Sequence, residues 1–98
     1  MVAYTAKYTF IEDGVHGEVV DFPGVITFGT DLSHTRRLLA GALVDMAETN
    51  LSLGEPLPKP DSTAAFEESA ADLVEPIYLV LEASSTIKIV PEMEYEAA

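Results

Sequence analysis

Residues 21–39 read Asp21-Phe22-Pro23-Gly24-Val25-Ile26-Thr27-Phe28-Gly29-Thr30-Asp31-Leu32-Ser33-His34-Thr35-Arg36-Arg37-Leu38-Leu39. Within them the hydrophobic period changes from two, the strand value, to about 3.6, the helix value. Asp21-Phe22-Pro23-Gly24 interrupts a strand ladder, because Pro23 has no N–H to donate and Pro-Gly suits the centre of a type II turn. Val25 to Phe28 resumes as a strand, which Gly29 ends. Thr30 or Asp31 then caps a helix whose apolar positions are Leu32, Leu39, Leu43, Met46, Ala47 and Leu51, widened by Leu38, Ala42 and Leu53. Arg36, Arg37, Asp45 and Glu48 lie mostly off that stripe. Gly54 suits a helix stop, and Pro56, Pro58 and Pro60 forbid continuation.

Toward the N-terminus, Ala3 to Ile11 alternates with period two. Tyr4, Ala6, Tyr8 and Phe10 share one face, and Thr5, Lys7, Thr9 and Ile11 share the other. Glu12-Asp13-Gly14 is turn chemistry, and His16 to Asp21 returns as a second strand. Toward the C-terminus, residues 55–62 form a proline-stiffened loop. Ser62 or Thr63 caps a short helix over Ala64 to Leu73, crowded by Glu67, Glu68 and Asp72. Ile77 to Leu81 is an unbroken apolar run, read as a strand buried on both faces, and Thr86 to Val90 is the candidate for one further strand, whose free backbone groups could pair with a second subunit if it lay at a sheet edge. The expected architecture is α+β: a two-layer sandwich in the order β-β-β-α-(α)-β(-β), an antiparallel meander with one long helix on one face. Residues 1–90 are expected to form a single domain, with 91–98 an acidic, flexible tail.

The order and spacing of these punctuating residues resemble the HicB-like antitoxin family. The resemblance rests on the aromatic first strand Tyr4 to Ile11, the turn Glu12-Asp13-Gly14, and Asp21-Phe22-Pro23-Gly24 in place of a D-x-P-G turn. It continues through Gly29-Thr30-Asp31 at the helix start and Gly54-Glu55-Pro56-Leu57-Pro58-Lys59-Pro60 at its end. It covers residues 4–60 and weakens beyond them. The resemblance implies a truncated RNase-H-like core that is not itself a nuclease, acting as antitoxin to a small, basic, RNA-cleaving toxin of the HicA kind. Many members add a C-terminal DNA-binding module. Here 13 residues follow Ser85, too few for a helix unit that reads DNA, so direct operator binding is not expected. The helix start Leu32-Ser33-His34-Thr35-Arg36-Arg37 also departs from the acidic, alanine-rich turn usual in the family.

Charge fits that implication. The 98 residues hold 17 acids against 5 bases, a net charge of −12. Residues 1–54 contribute −4 and residues 55–98 contribute −8. Direct DNA or RNA binding is disfavoured, because phosphate neutralisation needs clustered Lys or Arg, and Arg36-Arg37 is the one basic pair. A strong acidic field instead steers a small protein toward basic partners. Candidate contact residues are Glu67, Glu68 and Asp72, with Glu92, Glu94 and Glu96 of the tail. Asp21, Pro23 and Gly24 are singled out for turn geometry.

Catalysis finds little support. The chain has no cysteine, which removes disulfides, thiolate metal sites and cysteine nucleophiles. His16 and His34 show no metal-ligand spacing, and Asp13, Glu18 and Asp21 are the carboxylates available for two-metal hydrolysis. No serine has a nucleophile-elbow context and no glycine-rich phosphate loop occurs, so no catalytic, cofactor or metal residues are assigned. No apolar run approaches a membrane span and no signal segment opens the chain, so a cytoplasmic protein is expected. The thin core of so short a chain, its apolar C-terminal strands and its aromatic first strand point to a homo-oligomer. The alternative to an antitoxin is an orphan, self-associating interaction domain.

Overall fold

A computed structural model describes residues 2–61, 71–81 and 87–91. Five strands and one helix appear there: β1 Val2–Ile11, β2 Gly14–Val19, β3 Ile26–Gly29, α1 Leu32–Ser52, β4 Leu73–Leu81 and β5 Ile87–Pro91. The strands form one antiparallel sheet in the order β3-β2-β1-β4-β5, with α1 packed on one face. The expected α+β meander with a single long helix is therefore present. β1, the longest strand, lies at the centre of the sheet.

Alternation along β1 sets the core. Tyr4, Ala6 and Tyr8 are buried beneath α1 with Val15, Val19, Leu39, Leu43 and Leu79. Truncating a leucine such as Leu43 to alanine in a core of this kind costs roughly 2–5 kcal/mol. Phe10, expected on the same face, is 52% exposed because it lies near the strand's end, past the helix. β2 runs Gly14–Val19 instead of His16 to Asp21, since Gly14 still pairs with Ile11 and Asp21 turns inward. β3 begins at Ile26, one residue late, because Val25 is held in the turn by the bond from its N–H to the Phe22 carbonyl at 3.3 Å.

Asp31 is the residue that caps α1: its carboxylate accepts from the His34 amide at 2.8 Å. The helix closes through Leu53 and Gly54, whose φ of +72° is one that glycine tolerates. Its buried row is Thr35, Leu39, Leu43 and Ala47. Leu38, Leu51 and Leu53, assigned to the apolar stripe, are exposed. A four-residue step on a helix rotates by about 40° beyond a full turn, so a row that starts under Thr35 has swung off the sheet by Leu51.

The chain beyond the helix departs further from expectation. Of the short helix placed over Ala64 to Leu73, residues 64–70 lie outside the described residues, Asp72 sits in a bend and Leu73 opens β4. β4 starts four residues earlier than expected, taking in Glu75 and Pro76, and it is buried on one face only. Ile77 and Leu79 are inside, whereas Val74 is 45% exposed, because α1 covers one side of the sheet. The optional last strand is present as β5, which pairs with β4 at the sheet edge and ends at Pro91. Thr86 and residues 92–98 lie outside the described residues. Among the described residues no helix is long and apolar enough to cross a membrane.

Candidate partner interface

Among the sequence-assigned partner residues, Glu67, Glu68, Glu92, Glu94 and Glu96 lie outside the described residues. Asp72 is exposed, and it is already engaged. Its Oδ2 accepts from the Phe10 amide at 2.6 Å while its own amide donates to the Tyr8 carbonyl at 2.9 Å. These two bonds seat the entry of β4 against β1.

Asp21 of the D-x-P-G turn is 7% exposed, and both of its carboxylate oxygens are used. Oδ1 accepts from the Thr5 amide and Oδ2 from the Asp61 amide, each at 2.9 Å. The side chain thus ties β1 to the proline loop, and Tyr4 Oη reinforces the tie by donating to the Pro58 carbonyl at 2.8 Å. Phe22 is buried edge-on to Tyr4, with ring centroids 5.3 Å apart. Pro23 and Gly24 are exposed, and Gly24 has φ +90°, as such a turn demands of its second central residue. The motif is scaffold: a knot that closes the first three strands onto the loop after the helix.

The remaining carboxylates available for two-metal hydrolysis stand apart. Glu18 pairs with Lys7 across β1 and β2 at 3.3 Å, and Asp13 is exposed in the turn between those strands. Among the described residues no three His, Asp or Glu side chains could jointly hold a metal ion. His34 serves locally, its Nδ1 accepting from the Thr30 amide at 3.0 Å.

Sequence reading missed two features of α1. The first is Arg36, expected off the apolar stripe, which turns in to Glu75. Nε lies 2.9 Å from Oε2 and Nη2 lies 2.6 Å from Oε1. The guanidinium also stands over the Tyr8 ring, 6.0 Å from its centroid. Burial, then the charge of Glu75, pushes the Tyr8 hydroxyl well above its ordinary pKa, and the bond to Glu75 raises that of Arg36. The basic pair is thereby split, leaving Arg37 alone on the surface with Ser33.

The second feature is the sign of the charge along the helix. Its first turn holds no acid and its last turn no base, while Asp45 and Glu48 stand exposed in the C-terminal half. The helix dipole is negative at that end, so the exposed Glu55 just beyond it adds to the field instead of cancelling it. Three-residue spacing places Asp45 and Glu48 side by side on the outer face. The off-stripe positions of Asp45 and Glu48 were legible in the sequence. Glu12, Asp13, Asp31, Asp61 and Asp72 are further exposed acids, against Arg37 and Lys59 as exposed bases among the described residues.

Comparison with known proteins adds three findings. A family model described as UPF0150-like matches residues 4–58. A chain of the solved structure described as "HicA3 and HicB3 toxin-antitoxin complex" shares the fold, with a TM-score of 0.59 and 17% identity over 76% of this chain and 94% of that chain. Curated protein sequences return no significant match. The matched span nearly coincides with residues 4–60, on which the family resemblance was read.

Proposed function

The chain belongs to the UPF0150-like family, and from that premise we propose that it is a non-catalytic, HicB-like antitoxin, which neutralises a small, basic, RNA-cleaving toxin by protein–protein contact. One observation carries the reading: the exposed acids Asp45 and Glu48 stand three residues apart on the outer face of the helix, with exposed Glu55 just past its end. An RNA-cleaving toxin must carry a basic surface to hold its substrate, and an acidic inhibitor gains rapid, salt-sensitive association with it. The fold shared with a chain of a toxin–antitoxin complex supports the same reading. We extend the contact surface to Glu67, Glu68, Asp72, Glu92, Glu94 and Glu96. Asp21, Pro23 and Gly24 act as scaffold, and no cofactor or metal takes part. The site of action is the cytoplasm.

The test uses the tagged full chain and the small basic protein that it retains from its native host at low salt. That protein should cleave RNA alone and stop when the chain is added. Its affinity should fall steeply with rising salt, and Asp45→Asn with Glu48→Gln should weaken it about tenfold. Affinity independent of salt, or cleavage unaffected by the chain, overturns the proposal. Retention of nothing but itself would instead favour an orphan, self-associating domain, a reading to which the uncharged sheet face described below also belongs.

A further inference from the structure

The face of the sheet away from α1 differs from the rest of the surface. A row crosses four strands in register, Ile26–Glu18–Lys7–Val74. Glu18 and Lys7 form an ion pair at the centre of that row, and its two ends are apolar, Ile26 being 54% and Val74 45% exposed. Phe28, 48% exposed, and Ile11, 50% exposed, extend the apolar surface along β3 and β1. In β1 to β4, Glu18 is the single carboxylate directed to this face among the described residues, and Lys7 neutralises it. Among the described residues of β1 to β4, a chain of net charge −12 therefore leaves this half-apolar face without net charge.

We propose that this face is the surface through which two copies of the chain associate. Two molecules of charge −12 repel, so they can pack only where that charge is excluded. The row Ile26–Glu18–Lys7–Val74 is also self-complementary. A copy related by a two-fold axis lays acid against base and apolar end against apolar end, as an isologous interface requires. A basic toxin finds no net negative charge on this face, so it does not compete for the surface. The proposal stands independently of the antitoxin reading.

Sedimentation equilibrium and light scattering on the full chain test it. A concentration-dependent dimer of the 10.5 kDa chain is expected at micromolar concentration. Raising salt from about 0.05 M to about 0.5 M screens the repulsion and should tighten the dimer, opposite in sign to its effect on a basic partner. Phe28→Lys and Ile26→Lys, both at exposed positions, should each weaken the dimer about tenfold or more without altering the circular dichroism spectrum. Leu53→Lys, at the far end of the helix and 68% exposed, should leave it unchanged. A monomer persisting at about 100 μM overturns the proposal, since a working interface binds more tightly than that. So does a dimer that both sheet-face variants leave intact, which would put the contact elsewhere.

Discussion

Arg36 and Glu75 join helix to sheet through a two-point ion pair, with Nε–Oε2 at 2.9 Å and Nη2–Oε1 at 2.6 Å. Their side chains are 30% and 20% exposed, so the pair is partly desolvated and its planar geometry holds α1 over β4. Removing one partner leaves the other charge half-buried without its counter-ion. Arg36→Met or Glu75→Leu alone should each cost about 2 kcal/mol, read from the urea midpoint. The double variant should cost clearly less than the two singles together, because it removes both charges at once.

Tyr8 lies against the same pair. Its hydroxyl and that of Tyr4 are both raised above the ordinary value of 10.0, in each case chiefly by burial. A group whose pKa is raised by folding contributes stability that is complete below its unfolded value and is lost as pH climbs through its folded one. Stability should therefore hold to about pH 10, then fall by up to about 1.4 kcal/mol per pH unit per group. Urea denaturation between about pH 8 and about pH 11.5 reads this directly, and Tyr8→Phe should flatten the alkaline limb while costing about 1 kcal/mol at neutral pH.

Asp21 accepts from two backbone amides, those of Thr5 and Asp61. Asp21→Ala removes both bonds in a partly buried position and should cost about 1–3 kcal/mol. Asp21→Asn retains one acceptor oxygen and should cost about half as much. Faster proteolysis within residues 55–61 in the alanine variant would locate the damage in the proline loop.

Two glycines should respond oppositely to alanine. A Cβ on Gly29 would sit 2.5 Å from Thr35 Oγ1 and 2.8 Å from the Thr35 amide, where the first turn of α1 rests on β3. Thr35 cannot yield, for its hydroxyl lies 3.0 Å from the Val15 carbonyl and 2.8 Å from that of Asp31. Gly29→Ala should lower stability by about 2–3 kcal/mol. Gly41 lies exposed in the helix interior with nothing within 4 Å of an added Cβ. Gly41→Ala should raise stability by about 0.5–1 kcal/mol, and thermal unfolding of both variants checks the contrast.

Local chemistry was enough to determine the first strand and the long helix. Alternation of Tyr4, Ala6 and Tyr8 marked β1 and its buried face, Thr30 or Asp31 marked the helix start, and Gly54 with Pro56 marked its end. These are signals of period and backbone conformation, carried by residues adjacent in the chain. The tertiary structure decided what depends on residues distant in sequence. Arg36 and Glu75 are 39 positions apart, and Asp21 and Asp61 are 40 apart. No periodicity announces either contact, so the arginine read as surface and the aspartate as turn chemistry. Strand order belongs to the same class. Because β4 pairs with β1, Ile26, Glu18, Lys7 and Val74 fall in one row on the face of the sheet away from the helix. A side chain's direction follows from its own strand, but its neighbours across the sheet follow from register, which only the assembled fold sets.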